Sequence, residues 1–257
     1  MAKIFQRKNK PYSHFEYLDE STGNRLRIVP ERGGLISEWL CNQKEVLYFD
    51  LERFQKQKES VRGGIPLLFP ICGDLPDNRF LFESQEFFIC QHGFARDLPW
   101  KIFSDQKKDC IRMTLEDTDT TKEVYPYSFK IDVDIKIIEN KLELDIIIKN
   151  NSRIKMPFSF GLHPYFKIID LSSLKVSGLS KDCTNHINMK PDSTDQLLSV
   201  LSKGVDFLAK SSSLILLEDC NSGALVEIHK TESFEFIAVW TDPPRGMICI
   251  EPWTSPR

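Results

Sequence analysis

Four stretches of this chain carry residue types that move protons or grip polar ligands. In "SFGLHPYFKI" His163 stands among apolar residues and precedes Pro164, Tyr165 and Phe166. An imidazole in that setting is either a packed ring satisfied by a hydrogen bond or a group that exchanges a proton near neutral pH. In "VRGGIPLLFPICGDLPDNRF" Arg62 opens a run holding three prolines and three glycines. Paired glycines permit a tight or left-handed backbone, and a guanidinium beside such a turn can clamp an anion or a hydroxyl. In "CQHGFARDLPW" Gln91, His92 and Arg96 lie among Phe94, Ala95, Leu98 and Trp100. They are either satisfied core groups or directional donors beside a flat apolar wall, the combination that holds sugar hydroxyls. In "VWTDPPRGMICIEPW" Met247, Cys249 and Glu251 share one face of a strand. A carboxylate that continues an apolar face is costly unless it is paired or functional. Pro252 is expected to turn the chain out of the sheet, leaving Glu251 at a strand end; a solvent-facing edge carboxylate is the plain alternative.

Other chemistries lack their signatures. His92, His163, His186 and His229 are far apart, without the i, i+4 or short His/Cys spacing of a ligand set, so no metal is expected. There is no G-x-S-x-G elbow, no Walker loop and no G-x-G-x-x-G after a strand.

The elements that must position these residues are mostly strands. In "FKIDVDIKIIENKLELDIIIKN" apolar and polar residues alternate on both sides of "ENK", which predicts two long antiparallel strands joined by a short turn. "LILLEDCNSGALVEIHK" repeats the arrangement around "NSG". "FEFIAVW", "MICIEPW", "RLRIVPERGGLISEWL" and "QEFFICQHGF" add further strands. Helical signals are sparse: "FDLERFQKQKES" predicts a helix of two to three turns, and "DSTDQLLSVLS" has a capping signature before a short apolar run. Many strands with few short helices predict an all-β class, a large antiparallel β-sandwich. No linker or composition shift interrupts residues 1–257, so one domain is expected.

Composition narrows the partners. The 257 residues are 41% hydrophobic and 28% charged, enough for a sizeable core. A net charge of -3, from 34 basic and 37 acidic residues, gives no field for nucleic acid. Seven scattered cysteines without C-x-x-C pairs fit a reducing compartment. The N-terminal stretch lacks the apolar core of a signal peptide, and no run of about 18 apolar residues spans a membrane. The expectation is a soluble, cytoplasmic protein.

In this order, "RGGIP", "QHGFAR", "LHPYF" and "IEPW" resemble the aldose 1-epimerase (galactose mutarotase-like) family, and within it the hexose-6-phosphate mutarotases. The resemblance runs from "RLRIVPERGG" to the end of the chain and implies a large antiparallel β-sandwich with no cofactor. It implies His163 as general acid and Glu251 as general base. It assigns Arg62, Gln91 and Arg96 to substrate binding, with His92 beside them, and Asp206 of "GVDFL" as a substrate-binding aspartate. Interconverting anomers requires a proton delivered to the ring oxygen while another leaves the anomeric hydroxyl; an imidazole and a carboxylate on opposite sides of the sugar would do both. The arginines favour a sugar phosphate, because their forks match phosphate oxygens. A mutarotase of free aldoses and a non-catalytic carbohydrate-binding subunit on the same fold are the alternatives. The family continues through a further strand after "EP", whereas six residues follow Glu251 here (257 − 251), so a final strand is expected to be missing.

Overall fold

The computed structural model describes residues 3–8, 11–105 and 110–257. The strand-rich reading holds. The strand pairs described below are antiparallel, with an isolated parallel bridge between Phe69 and Gly93, and the described helices are short turns such as Asp119–Val124 and Thr194–Leu198. No described helix is long and apolar enough to cross a membrane. Contacts divide the chain into two compact units: residues 1–45 with 66–159 and Arg257, and residues 46–65 with 160–256.

The first unit carries a meander of five strands, Lys3–Arg7, His14–Asp19, Asn24–Val29, Leu35–Cys41 and Lys44–Glu45, each paired with the next. It also carries a four-stranded sheet in the order Lys141–Asn150, Phe129–Ile138, Cys110–Glu116, Lys101–Asp105. The hairpin expected from "FKIDVDIKIIENKLELDIIIKN" forms with Phe129 opposite Asn150 and Ile138 opposite Lys141. Its alternation is the cause: Phe129, Ile131, Val133 and Ile135 are buried, and Lys130, Asp134 and Lys136 lie nearer solvent. Phe69, Phe94, Tyr125 and Phe129 form an aromatic cluster with ring centroids 4.9–6.2 Å apart, within the range where such rings attract.

The second unit is built on one sheet running Lys190–Ser193, Leu174–Asn185, Asp206–Asp219, Phe236–Trp240, Met247–Trp253. Ala224–His229 pairs with the distal half of Asp206–Asp219, closing the "NSG" hairpin read from the sequence. Tyr165–Lys167 and Gly161–Leu162 both pair with Met247–Trp253. Phe207, Ile215, Leu217, Ile237, Val239, Ile248 and Ile250 lie on one side of this sheet and are wholly buried in a single apolar cluster. Because side chains alternate, residues such as Cys249 and Glu251 must lie on the opposite face.

Two expectations need correction. The helix over "FDLERFQKQKES" is a single turn, Leu51–Phe54, capped by Asp50, whose carboxylate accepts from the Arg53 N–H at 2.9 Å. Beyond Phe54 the run Gln55–Lys58 is polar and exposed, so a longer helix would have no stripe to bury. Pro252 does not expel the chain from the sheet. It lies within Met247–Trp253, opposite Ile237, and Glu251 pairs with Ala238 in the strand interior. On its other side this strand has ladder partners at 247–249 and 253 but none at 250–252, the kind of gap where a proline is tolerated.

Candidate active site

Strand register assembles the site. Asp206 lies opposite Trp240, Trp240 opposite Cys249, and Cys249 opposite Tyr165. His186 extends the row by one position, its N–H donating to the Asp206 carbonyl at 2.8 Å. These five residues therefore form one line across the face opposite the apolar cluster, and Glu251 and Trp253 follow Cys249 at alternate positions on the same strand. His163 occupies the gap between Gly161–Leu162 and Tyr165–Lys167, the two short strands that grip Met247–Trp253.

At the centre, His163 Nε2 lies 3.3 Å from Glu251 Oε1. The imidazole is stacked on Tyr165 at 4.7 Å with ring planes 9° apart, and it meets the Trp240 ring edge-on at 6.1 Å. The second Glu251 oxygen accepts a hydrogen bond from the Trp253 indole N–H at 3.2 Å. Glu251 is only 3% exposed. A buried carboxylate is tolerated because it is paired and hydrogen-bonded. The solvent-facing alternative for Glu251 is thus excluded. His163 and Glu251 stand side by side rather than facing across a gap wide enough for a sugar ring.

Arg62 is positioned by its neighbour. Gly63 has φ of +135°, and a Cβ there would stand 2.5 Å from the Phe49 Cα, so glycine is required for the close approach. The Asp50 N–H donates to the Arg62 carbonyl at 2.9 Å, and Gly64 N–H to the Tyr48 carbonyl at 2.9 Å. The guanidinium then lies 5.3 Å from the Trp240 ring centroid, a cation–π contact, while Nη1 donates to Ser60 Oγ at 3.1 Å. Asp206 opens the strand Asp206–Asp219 with its carboxylate 42% exposed and 3.0 Å from His186 Nδ1. The His186 ring in turn stacks on Trp253 at 6.2 Å. Cys249 is fully buried beneath this face; burial pushes its thiol well up, the Glu251 carboxylate adds to that, and Arg62 opposes it.

Gln91, His92 and Arg96 belong to the first unit and form their own cluster. His92 has a left-handed backbone with φ of +65°. Its N–H donates to the Gly73 carbonyl at 2.6 Å, and the Gly73 N–H donates to its Nδ1 at 3.1 Å. His92 thereby pins the 72–73 turn, with the proton of the neutral ring on Nε2. Gly93 follows because a Cβ there would meet the Phe69 carbonyl oxygen at 2.1 Å. Arg96 donates to the Gln91 carbonyl at 2.9 Å, and the Gln91 side chain is exposed.

The structure thus gathers His163, Glu251, Arg62 and Asp206 on one face. Sequence reasoning missed Tyr165, Trp240 and Trp253 as their supports, and His186 as the partner of Asp206. Trp253 had a signal, since it lies two positions beyond Glu251 on the same strand face. His186 had none, because its contact depends on a strand crossing 20 residues away.

Residues 19–254 match the aldose 1-epimerase family. Slr1438 from Synechocystis sp. PCC 6803 is 32% identical, with a TM-score of 0.92 over 100% of this chain and 90% of its own. A galactose mutarotase-like protein from Clostridium acetobutylicum shares the fold, with a TM-score of 0.81 at 18% identity, covering 99% of this chain and 88% of its own. A Cenchrus ciliaris protein, provisionally named a glucose-6-phosphate 1-epimerase, is 27% identical over 64% of this chain. That alignment spans half the length of the curated relative, 50%. By the span of the family match, this chain belongs to the aldose 1-epimerase family.

Proposed function

We infer that the chain exchanges the α and β anomers of an aldose, and that the aldose is a hexose 6-phosphate. The observation that carries this reading is the His163–Glu251 pair, 3.3 Å apart and braced by Tyr165 and Trp253. The ring oxygen and the anomeric hydroxyl are bonded to one carbon, so an acid and a base standing side by side suit them. Glu251 takes the proton of the anomeric hydroxyl while His163 delivers one to the ring oxygen. The carbon–oxygen bond of the ring breaks and leaves an open-chain aldehyde. After rotation about C1–C2, the same two groups exchange roles, His163 taking the hydroxyl proton as the ring closes on the other face of the carbonyl. Every proton moved in opening returns in closing, so no net acid or base is consumed.

Arg62 supports a phosphorylated substrate: its fork is held over Trp240 on the same face and suits phosphate oxygens. The provisional name of the Cenchrus ciliaris relative agrees. Asp206 favours a second reading, in which the substrate is a free aldose, because an exposed carboxylate accepts from sugar hydroxyls and repels phosphate. Saturation-transfer NMR of anomer exchange with glucose 6-phosphate, glucose and galactose decides between them. Faster exchange of the phosphorylated sugar supports the first reading, and equal rates support the second. Rates no faster than buffer for all three sugars reject both and leave carbohydrate binding without catalysis.

A further inference from the structure

We propose that His163, Cys249 and Glu251 form a binding site for zinc, and that the ion arrests the enzyme by occupying its acid and its base. His163 is distant in the chain from Cys249 and Glu251, which stand two residues apart, yet one ligand atom from each lies within 4.8 Å of the others. Tetrahedral zinc with bonds of about 2.0–2.3 Å needs ligand atoms about 3.3–3.6 Å apart. The His163 Nε2–Glu251 Oε1 separation of 3.3 Å already meets that spacing. The Cys249 sulfur must close by about an ångström at most to reach the same spacing. Two of the ligands come from alternate positions of one paired strand, so their relative placement is fixed by the backbone.

The donor set selects the ion. Imidazole, thiolate and carboxylate suit zinc, whereas magnesium and calcium take oxygen ligands. One thiolate and one carboxylate balance the two charges of the metal, giving a neutral complex, which is the form that a buried location tolerates. Cysteine binds zinc as the thiolate, so binding releases the thiol proton into solvent. Three protein ligands leave a fourth position for water. The inhibitory consequence rests on the acid–base roles inferred above, while the site itself does not.

The test uses the full chain with exposed Cys90 and Cys220 changed to Ala, so that surface thiols do not compete. Zinc is titrated by calorimetry in two buffers of different ionisation enthalpy, and cobalt(II) is titrated to read sulfur-to-metal charge transfer. Uptake of one equivalent with proton release, together with the charge-transfer band, is expected. Cys249→Ala should weaken uptake at least about 100-fold, since outer-shell changes alone cost 10–100-fold. Cys249→Ser, which preserves size, serves as the second variant should the alanine form not fold. No zinc uptake by the parent, or uptake undiminished in the variants and without the band, overturns the site. Anomer exchange of glucose 6-phosphate is followed in the same samples as the ratio with and without zinc. Chelator-reversible inhibition in the parent, lost in the Cys249 variants, supports the full proposal. A parent that takes up zinc through Cys249 but exchanges no anomers even when metal-free supports the site and rejects the acid–base reading.

Discussion

Replacing Trp253 by Phe tests whether the base is held by its hydrogen bond. The indole N–H is the donor to Glu251 Oε2 at 3.2 Å, and the carboxylate is buried. Hydrogen bonds to charged groups contribute about 1.5–3 kcal/mol. At 1.36 kcal/mol per decade, losing that orientation and stabilisation should slow anomer exchange about 10- to 150-fold. Phenylalanine keeps an aromatic ring against His186, so sugar phosphate binding, measured by calorimetry, should change by less than about threefold if the loss lies in the proton-transfer step. A double-mutant cycle with Glu251→Gln isolates the coupling. In that background the base is already gone, and Trp253→Phe should slow the residual exchange, measured at high enzyme concentration, by no more than about threefold. Exchange at the parental rate in the single variant refutes the reasoning. So does a full additional 10-fold loss in the double variant, because Trp253 would then act independently of Glu251.

Glu251→Gln and His163→Asn should each reduce exchange by about 10²–10⁴-fold in saturation-transfer NMR while sugar binding persists. Arg62→Lys keeps the charge but loses the planar fork, so affinity for glucose 6-phosphate should fall more than affinity for glucose; equal losses would detach Arg62 from phosphate recognition. Gly63→Ala, at φ of +135° and against the Phe49 backbone, should cost on the order of 1–3 kcal/mol or more in denaturant unfolding. Asp132 is pushed up by burial, but its hydrogen bonds from Thr114 and Lys130 outweigh this and hold it below the usual carboxylate range. Its contribution is therefore complete above the ordinary Asp value of about 3.9 and fades as pH falls through its lower folded value. Asp132→Asn should flatten the melting temperature against pH in that acid window.

The strands were legible because their alternation is the direct imprint of a two-faced sheet. Ile131, Val133 and Ile135 against Lys130, Asp134 and Lys136 fix both the period and the buried face of the 129–138 strand. The same logic put Cys249 and Glu251 on one face. It failed at Pro252, where a local rule about a missing N–H was applied without knowing that the neighbouring edge is unpaired. It also failed at the Leu51 helix, where good helix formers lacked an apolar stripe to bury. His163 and Glu251 were found by resemblance; their side-by-side placement was not, because it depends on two short strands gripping a third. Gln91 and Arg96 were read as a sugar grip from polar residues beside aromatics; what the sequence did not show is that Arg96 also donates to the Gln91 carbonyl on its own loop.

The line of His186, Asp206, Trp240, Cys249 and Tyr165 across the sheet has a bearing on how errors in assembly are excluded. A slip of one residue in the pairing of Met247–Trp253 would send Ile248 and Ile250 to the outer face and drive Cys249 and Glu251 into the apolar cluster. A misregistered chain would therefore forfeit its core at the same moment as its chemistry. Molecules that bury Ile248 and Ile250 keep Cys249 and Glu251 on the opposite face, and the pairing of Gly161–Leu162 and Tyr165–Lys167 with this strand then sets Glu251 beside His163. The face on which the site is built is thus inherited from the two-residue period of the strand, and its position along that face from the two short strands paired with it.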